Sequence, residues 1–224
     1  MAQIESRPLP DRIPKIPRPT ARRLSLYLRE VQLRLAEGAR RVSSRQLGEA
    51  LGLADTQVRK DLRWCGPFGG SGVGYDAAAL RDRLRAVMGL NRTWNAVLVG
   101  AGNIGRALLG YGRFEGEGFR IVGLFDKSKS LVGKRIAGTV VRPVSELARV
   151  VEEHDARLGI IAVPREAAQE VGRLLVDAGV RGILNFAPTR IDVAGIPVTS
   201  VDFTVALEQI AFEMTMAAAQ QEPR

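Results

Sequence analysis

A short apolar run followed by a glycine-rich turn constrains the fold of this 224-residue chain more than any other feature. Residues 95–99 (Asn-Ala-Val-Leu-Val) have the composition of a buried strand, and they lead directly into Gly100-Ala101-Gly102-Asn103-Ile104-Gly105. Helix-forming residues follow, and a second apolar run, 119–125, ends at Asp126. A strand, a GxGxxG turn, a helix and a second strand in this order predict a βαβ unit that binds a dinucleotide.

Each glycine of this turn has its own predicted role. Gly100 permits the tight turn, Gly102 lets the backbone approach a pyrophosphate at the helix N-terminus, and Gly105 allows close packing. Asp126 is expected to accept hydrogen bonds from the adenosine ribose. A carboxylate there repels a 2′-phosphate, which favours NAD(H) over NADP(H), and the neighbouring Lys127 weakens that preference without reversing it. The alternative is a glycine-rich turn that binds no ligand.

Strand-like and helix-like segments continue to alternate after this unit. Strands are predicted at 138–141, 158–163, 182–186 and 197–201, and helices at 144–153 and 164–176. Repeated βα units predict an α/β fold with a Rossmann-like, doubly wound parallel sheet over residues 91–201. Residues 202–219 form an apolar closing helix with hydrophobic residues on more than one face, which suggests docking on a partner subunit. Packing on the chain's own sheet is the alternative.

Nearly all the excess positive charge lies in the first 90 residues. They contain 17 Lys or Arg against 9 Asp or Glu, whereas the remainder contains 16 against 15. Such an asymmetry indicates a polyanionic partner for one half only, and nucleic acid is the leading candidate. A solvated basic surface is the alternative.

The N-terminal half predicts a flexible arm followed by a winged-helix domain over residues 20–90. Prolines interleaved with basic residues make residues 1–19 a flexible arm, after which Thr20 is expected to cap a helix that runs to about residue 37. Ser43-x-x-Gln46 fits a capping box, which starts a short helix that ends near Gly52. Asp55 is expected to cap the next helix. Two short helices joined by a tight turn are typical of a helix-turn-helix.

The second of these helices has the two faces that a recognition helix needs. Val58, Leu62 and Cys65 fall on one side, and Thr56, Arg59, Lys60 and Arg63 fall on the other. The glycine-rich stretch 68–75 is interpreted as the wing, with Tyr75 as its anchor, and a further helix is expected over 76–88. A helical interaction module without nucleic acid is the alternative. The expected DNA contacts are Ser43, Ser44, Thr56, Gln57, Arg59, Lys60, Arg63, Gly72 and Tyr75.

Other functional classes are disfavoured by what the sequence lacks. No apolar run is long enough to span a bilayer, and a single cysteine, Cys65, excludes an intramolecular disulfide or a cysteine-cluster zinc site. The single histidine, His154, lies in a charged helix end and is expected at the surface. We therefore expect a cytoplasmic regulator with no catalytic residues and no metal, in which the nucleotide acts as a signal.

The chain resembles the Rex family, the NADH/NAD+-responsive redox-sensing transcriptional repressors of bacteria. The resemblance covers about residues 16–217. The blocks that carry it are 57–62 (Gln-Val-Arg-Lys-Asp-Leu), 72–75, 99–105, 163–169, 182–188 and 201–203.

The resemblance implies a homodimer in which the C-terminal helix is swapped, and release of operator DNA when NADH binds, with NAD+ permitting DNA binding. It implies that Tyr111 and the partner subunit's Asp202 form a switch pair near the nicotinamide. It further implies that Arg29 is the cationic partner of Asp202 in one state, and that Phe203 lies against the nicotinamide region. Ser71 departs from the family pattern, which has a basic residue at that point of the wing. The expected cofactor contacts are Gly100, Ala101, Gly102, Asn103, Ile104, Gly105, Asp126, Lys127, Val163, Pro164, Asn185, Tyr111, Asp202 and Phe203.

Two other functions stay open. One is a repressor that senses a different nucleotide, such as CoA or an acyl-CoA. The other is a small NAD-dependent oxidoreductase whose basic N-terminal module serves only for assembly.

Overall fold

The computed structural model describes residues 16–66 and 74–221, with side chains as far as residue 218. The chain divides into two compact units, one up to Arg92 and one from Thr93 onwards. Of the predicted arm, residues 1–15 lie outside the described residues. Residues 67–73 lie outside them as well, and they include residues 68–73 of the predicted wing, with Ser71 and Gly72.

The described residues of the N-terminal unit form four α-helices, a 3-10 turn and one pair of short strands. In chain order these are α1 (Arg18–Ala36), β1 (Arg41–Val42), α2 (Ser44–Leu51), α3 (Asp55–Leu62), a 3-10 turn (Arg63–Cys65), β2 (Tyr75–Asp76) and α4 (Ala77–Val87). Strands β1 and β2 are antiparallel, and they place Arg41 opposite Asp76 and Val42 opposite Tyr75.

The predicted helix-turn-helix forms from local signals. The Ser43 side chain accepts a hydrogen bond from the Gln46 backbone, and the Gln46 side chain accepts one from the Ser43 N–H at 2.8 Å. Helix α2 ends at Gly52, whose φ of +65° is the left-handed conformation that glycine adopts without strain. A Cβ on Gly48 would collide with the Leu53 carbonyl oxygen, so the two helices approach closely at this turn.

Two predicted helix caps are wrong. Helix α1 begins at Arg18 after Pro17, and Thr20 is a buried residue within its first turns. Proline is tolerated there because the first N–H groups of a helix need no intrahelical partner. Helix α3 is preceded by Ala54, so Asp55 is its first residue and not its cap.

The N-terminal core confirms the predicted buried side of α3. Val58, Leu62 and Cys65 are all at most 3% exposed. They pack with apolar residues of the other helices, namely Leu24, Tyr27, Leu28, Val31, Leu47, Ala77, Leu80 and Leu84. Burial raises the pKa of the Cys65 thiol to about 11, which is the behaviour of a core residue.

The C-terminal unit is a seven-stranded sheet with helices. Its elements are β3 (Trp94–Val99), α5 (Asn103–Gly110), α6 (Arg113–Gly116), β4 (Phe119–Asp126), β5 (Arg135–Ile136), β6 (Thr139–Pro143), α7 (Leu147–Glu153), β7 (Leu158–Ile161), α8 (Arg165–Asp177), β8 (Gly182–Asn185), β9 (Val198–Ser200) and α9 (Phe203–Gln221). The strand order is β5-β6-β4-β3-β7-β8-β9, and every neighbouring pair is parallel except β5 and β6.

This order confirms the predicted doubly wound sheet. The chain starts at β3 in the centre, winds outwards through β4 and β6, and then returns to the other side of β3 through β7, β8 and β9. The order therefore reverses between β3 and β7, which is where doubly wound sheets bind ligands at the carboxyl ends of their strands. Strand β6 corresponds to the strand predicted at 138–141, whereas β5, which pairs antiparallel with it, is an addition that the sequence pattern did not predict.

Alternation along β3 divides the core into two layers. Val97 and Val99 pack in the cluster that contains residues of α7 and α8, whereas Ala96 and Leu98 pack in the other cluster of this unit.

The single histidine, His154, follows α7, and its carbonyl oxygen accepts a hydrogen bond from Asn95 at 2.6 Å. Its side chain is 40% exposed, as expected for a surface residue.

Helix α9 does not pack along the sheet. Each side chain described from Asp202 to residue 218 is exposed. The exposed apolar residues lie on several faces and include Phe203, Val205, Leu207, Ile210, Phe212, Met214 and Met216.

Among the helices of the described ranges, none is long and apolar enough to cross a membrane.

Candidate dinucleotide site and nucleic-acid interface

The three glycines of the turn after β3 have three different surroundings. Gly100 has a φ of +108°, and a Cβ there would collide with the Ala162 carbonyl oxygen at the end of β7. A Cβ on Gly105 would collide with the Gly100 carbonyl oxygen. A Cβ on Gly102 would meet no atom within 4 Å. Gly100 and Gly105 thus keep the turn compact, whereas Gly102 leaves open space at the start of α5.

Two charged side chains hold Ala101 from opposite sides. Asp126 Oδ2 accepts a hydrogen bond from the Ala101 N–H at 2.8 Å, and Arg106 Nε donates to the Ala101 carbonyl at 3.0 Å. The other carboxylate oxygen of Asp126 accepts from the Ser128 N–H at 2.8 Å. A carboxylate can accept about four hydrogen bonds, so Asp126 can still accept hydrogen bonds from ribose hydroxyls. Sequence reasoning missed Arg106, although its position directly after GxGxxG was a usable signal.

Several predicted cofactor contacts lie together at one edge of the sheet. Asn103 and Ile104 begin α5, and Lys127 is the exposed residue after β4. A Cβ at Gly100 would lie 3.1 Å from Val163 Cγ1, so Val163 borders the turn, and Pro164 precedes α8. The structure brings these residues to the carboxyl ends of β3, β4 and β7.

Asn185 is buried at the end of β8 and uses its amide locally. Its nitrogen donates to the Thr189 carbonyl at 2.8 Å, and its oxygen accepts from the Ala187 N–H at 3.0 Å. The Ser200 hydroxyl of β9 lies 3.4 Å from the same nitrogen. Asn185 therefore shapes the loop beside the cleft, and its direct contact with a cofactor stays a prediction.

The predicted switch residues are not joined within one chain. Tyr111 ends α5, is half exposed and contacts the Phe114 ring edge to face, with centroids 5.2 Å apart. Asp202 accepts a hydrogen bond from the Thr204 N–H at 2.9 Å. In the described part of a single chain, Tyr111 and Asp202 share no hydrogen bond, so the switch pair stays a prediction. Arg29 is exposed on α1 in the N-terminal unit.

Phe203 stands at the border of the cleft. Its ring centroid lies 6.4 Å from that of Phe186, the residue that follows β8, at an interplanar angle of 34°. Its side chain is 61% exposed, so one aromatic surface is available beside the carboxyl end of the sheet.

In the N-terminal unit, α3 presents the predicted basic face. Thr56, Arg59, Lys60 and Arg63 are exposed. Arg59 Nη1 donates to Asp55 at 2.6 Å and to the Ser44 hydroxyl at 3.4 Å, which fixes one guanidinium on the surface between α2 and α3. Ser43 uses its hydroxyl in the capping box, whereas Tyr75 is half-buried against the core, as expected of an anchor.

A buried charged network that sequence reasoning missed holds α3 to α1. Asp61 is 2% exposed and accepts two hydrogen bonds from Arg23, at 2.6 and 2.8 Å, and one from the Tyr27 hydroxyl at 2.8 Å. Gln57 Nε2 also donates to Asp61 at 2.9 Å, so this half-buried side chain is used inside the domain. Its predicted DNA contact stays a prediction. The partners lie 34 and 38 positions away along the chain, so no local pattern reveals them.

Burial acts to raise the pKa of the Asp61 carboxyl, but the hydrogen bonds from Arg23 and Tyr27 outweigh it and lower the pKa. Burial and the bond to Asp61 raise the pKa of Tyr27. Asp61 is thus ionised and Tyr27 is neutral at neutral pH.

Within the described ranges, no group of three His, Cys, Asp or Glu side chains is arranged to hold a metal ion.

Comparison with known proteins agrees with the division of the chain into two units. Residues 15–62 match the family model described as "Putative DNA-binding protein N-terminus", and residues 91–189 match the one described as "CoA binding domain". The redox-sensing transcriptional repressor Rex 1 of Thermotoga maritima is 46% identical over 201 residues, which cover 89% of this chain and 96% of the relative. The chain belongs to the Rex family.

Other Rex proteins give the same picture. The redox-sensing transcriptional repressor Rex of Carboxydothermus hydrogenoformans is 47% identical over 89% of this chain and 97% of its own length. These relatives are transcriptional repressors, so the expectation of a regulator is confirmed and the oxidoreductase alternative is set aside.

Solved Rex structures share the fold. The crystal structure of RSP, a Rex-family repressor, in complex with β-NADH has a TM-score of 0.83 and 30% identity, and covers 92% of this chain and 98% of RSP. RSP in complex with β-NAD+ and operator DNA has a TM-score of 0.84 and 31% identity, over 92% of this chain and 95% of RSP. The predicted N-terminal DNA-binding domain followed by a Rossmann-like sheet is therefore confirmed.

Proposed function

We propose that this chain binds operator DNA through its N-terminal unit and NADH or NAD+ through its C-terminal unit, and that NADH releases it from DNA. RSP has been crystallised with NADH, and with NAD+ together with operator DNA. This pairing of oxidised cofactor with DNA supports the same direction of response here. A repressor of this kind works beside the chromosome, so we place it in the cytoplasm.

The observation that carries the cofactor assignment is the open space at Gly102. The pyrophosphate lies there, at the positive N-terminus of α5, where the first N–H groups have no intrahelical partner. The ribose hydroxyls bind Asp126, and the repulsion between this carboxylate and a 2′-phosphate favours NAD(H). The nicotinamide lies towards the ends of β7 and β8, close to Phe203.

Discrimination between the two redox forms rests on the charge of the ring. Oxidised nicotinamide carries a positive charge and reduced nicotinamide does not, so an aromatic, poorly solvated surround such as Phe186 and Phe203 disfavours the oxidised ring. Shifting a two-state repressor from 1:99 to 99:1 requires differential affinity of about 10⁴-fold, or about 5.5 kcal/mol. In a dimer, each of two cooperating cofactor sites supplies part of this difference in affinity.

The exposed helix α9 supports a homodimer. Its apolar side chains lie in water in a single chain, for example Leu207 at 66% and Met214 at 68% exposure, and exposed apolar surfaces of this kind mark protein–protein interaction sites. We assign residues 202–224 as a dimerisation helix and tail that dock on the partner subunit. In that arrangement Tyr111 meets the partner subunit's Asp202, and Arg29 pairs with Asp202 in one of the two states.

The recognition helix is α3, which presents Arg59, Lys60 and Arg63 to the DNA. Two copies in a dimer read two half-sites, and the spacing between the copies must match that of the half-sites. Cofactor-dependent rotation within the dimer changes this spacing, so the redox state of the nicotinamide sets DNA affinity.

A DNA-binding titration at fixed salt tests the proposal, with a duplex that the protein enriches from a random pool. We expect NADH to displace the duplex and NAD+ to leave it bound. The Gly102→Val variant fills the open space, so we expect it to bind the duplex but to ignore NADH. Equal displacement by both nucleotides contradicts the proposal. Displacement by CoA in a parallel titration, without any by NADH, favours the CoA-sensing alternative.

A further inference from the structure

The three exposed cations of α3 differ in how they are held. Arg59 forms hydrogen bonds with two other side chains of the N-terminal unit. Among the described residues, the side chains of Lys60 and Arg63 form no hydrogen bond or ion pair. A cation on a flexible stem can adapt to a phosphate, whereas a guanidinium held in one geometry suits one pair of acceptors. Arg59 therefore has a different use from the other two.

Asp55 is the residue that fixes Arg59. It is the first residue of α3 and lies four positions before Arg59, so the two side chains are neighbours on one face of the helix. Asp55 Oδ2 accepts a hydrogen bond from Arg59 Nη1 at 2.6 Å. The Ser44 hydroxyl of α2 lies 3.4 Å from the same nitrogen. One of the three guanidinium nitrogens is thus held between α2 and α3.

The other two nitrogens of Arg59 stay available. Both hydrogen bonds use Nη1, and neither Nε nor Nη2 has a partner among the described residues. In the planar guanidinium, Nε and Nη2 carry parallel N–H groups along one edge, which is the arrangement that binds two acceptors at once. Guanine presents such a pair of acceptors, O6 and N7, in the major groove of DNA, and arginine is the side chain that reads it most often.

Neither stability nor general affinity for DNA explains an acid at this position. Asp55 and Arg59 are both partly exposed, and an exposed ion pair contributes little to folding. A carboxylate on the DNA-facing helix also opposes attraction to a polyanion, and here it offsets the charge of Arg59. Sequence-independent attraction to phosphates is therefore left to Lys60 and Arg63. What the carboxylate adds is a fixed direction for the guanidinium.

We infer that Asp55 is a positioning residue for DNA sequence specificity, which holds Arg59 so that its Nε and Nη2 bind guanine in each half-site. The inference rests on the proposed function and deepens it. It assigns the choice of base to a pair in which one member, Asp55, acts on DNA only through the other. It also predicts that loss of Asp55 lowers specificity without lowering general affinity for DNA.

The test compares Asp55→Ala with a matched control, Glu49→Ala. Glu49 forms the same kind of pair, four positions apart, with Arg45 of α2 at 2.8 Å, so each variant removes one negative charge from one exposed pair. Fluorescence anisotropy at fixed salt measures the affinity for the duplex that the unaltered protein enriches and for a random-sequence duplex of equal length. We expect Asp55→Ala to lower the ratio of these affinities about tenfold and to bind the random duplex no more weakly. Glu49→Ala should keep the ratio.

A second measurement locates the base that is read. Each G·C pair of the enriched duplex is changed in turn to A·T, and the unaltered protein should lose about tenfold or more at one guanine of each half-site. Asp55→Ala and Arg59→Lys, which keeps the charge but lacks the planar fork, should both lose discrimination at that same position. The double variant should discriminate no worse than Arg59→Lys alone, because the two residues act as one unit.

The inference is overturned if Asp55→Ala keeps the affinity ratio, or if the losses of the two single variants add up in the double variant. Circular dichroism checks that each variant folds. If Asp55→Ala does not, Asp55→Asn replaces it, and its neutral acceptor should lower the ratio about threefold, since charge-assisted hydrogen bonds are roughly twice as strong as neutral ones. An unchanged ratio there overturns the inference as well. If the unaltered protein enriches no duplex, it is the proposed function that fails.

Discussion

Each unit of the protein buries a polar side chain beside the surface that we assign to its function, but the two side chains have different kinds of hydrogen-bond partner. Asp61 in the recognition helix is charged, and its partners Arg23 and Tyr27 are side chains of another helix. Asn185 at the end of β8 is neutral, and its bonds at 3.0 Å or less go to backbone groups within four residues.

The difference follows from the secondary structure of each unit. Helices that pack together share no backbone hydrogen bonds, so side chains must set the orientation of α3 relative to α1. Strands are aligned by the ladder itself, so a buried polar group in the sheet only needs to shape a loop. The comparison therefore predicts that loss of Asp61 is the more damaging change.

The largest effect is expected for Asp61→Ala. Removal of the carboxylate takes away the acceptor that Arg23 and Tyr27 share, and breaking a buried ion pair costs about 3–5 kcal/mol. Chemical denaturation followed by tryptophan fluorescence, in a Trp94→Phe background that leaves Trp64 as the single tryptophan, measures the unfolding of the N-terminal unit. Glu49→Ala, which removes an exposed acid from α2, should cost no more than about 0.5 kcal/mol. A loss below about 1 kcal/mol for Asp61→Ala would show that the network is dispensable.

The same residue makes a pH prediction. The pKa of Asp61 is lower in the folded protein, so its contribution to stability is complete above the pKa of an unfolded aspartate, about 3.9. The contribution disappears as the pH falls through the lower, folded value. Asp61→Asn should therefore be less stable than the unaltered protein at neutral pH, and the gap should narrow on acidification below about pH 4. A gap that stays constant would contradict this account.

A smaller effect is expected for Asn185→Ala. It leaves the Ala187 N–H and the Thr189 carbonyl without their partner, which costs about 1–3 kcal/mol because neutral backbone groups are involved. We expect weaker NADH binding, since the loop borders the cleft, and unchanged binding of DNA in the absence of NADH. Calorimetric titration and anisotropy measure the two. If DNA binding falls as much as NADH binding, the two units are coupled through this loop.

The smallest effect on stability is expected for Lys60→Ala. Lys60 precedes Asp61 but is exposed, so its loss should change the unfolding free energy by less than about 0.5 kcal/mol. It should nevertheless weaken DNA binding broadly and lower the salt slope by about one unit for each phosphate that Lys60 neutralises. If DNA binding and its salt dependence are unchanged, α3 is not the recognition helix.

Local signals predicted the helix-turn-helix and the glycine turn because each depends on residues a few positions apart. The Ser43–Gln46 box and the stop at Gly52 are as expected. The start of α1 was misplaced because Thr20 is a strong capping residue that here is buried within the helix. Strand β5 was not predicted because a strand of two residues carries no periodicity.

The backbone turn of the candidate site could be predicted from the sequence, but several of its side-chain hydrogen bonds could not. The positions of Gly100 and Gly105 follow from the turn alone, because a Cβ at either would collide with a backbone carbonyl oxygen, whereas Gly102 is left with open space. Arg106 and the loop-shaping bonds of Asn185 depend on where folded backbone carbonyls point. Contacts between α9 and another subunit remain proposals.

The amino-acid sequence by itself determined the order of strands and helices, the helix-turn-helix and the dinucleotide turn, because caps, glycines and apolar periodicity act over a few residues. Only the tertiary structure decided which groups that are distant in sequence form hydrogen bonds and ion pairs. Asp61 meets Arg23 because two helices far apart in sequence pack together, and Arg41 reaches Gly74 because β1 pairs with β2. Contacts across such separations depend on packing geometry, which no local pattern encodes.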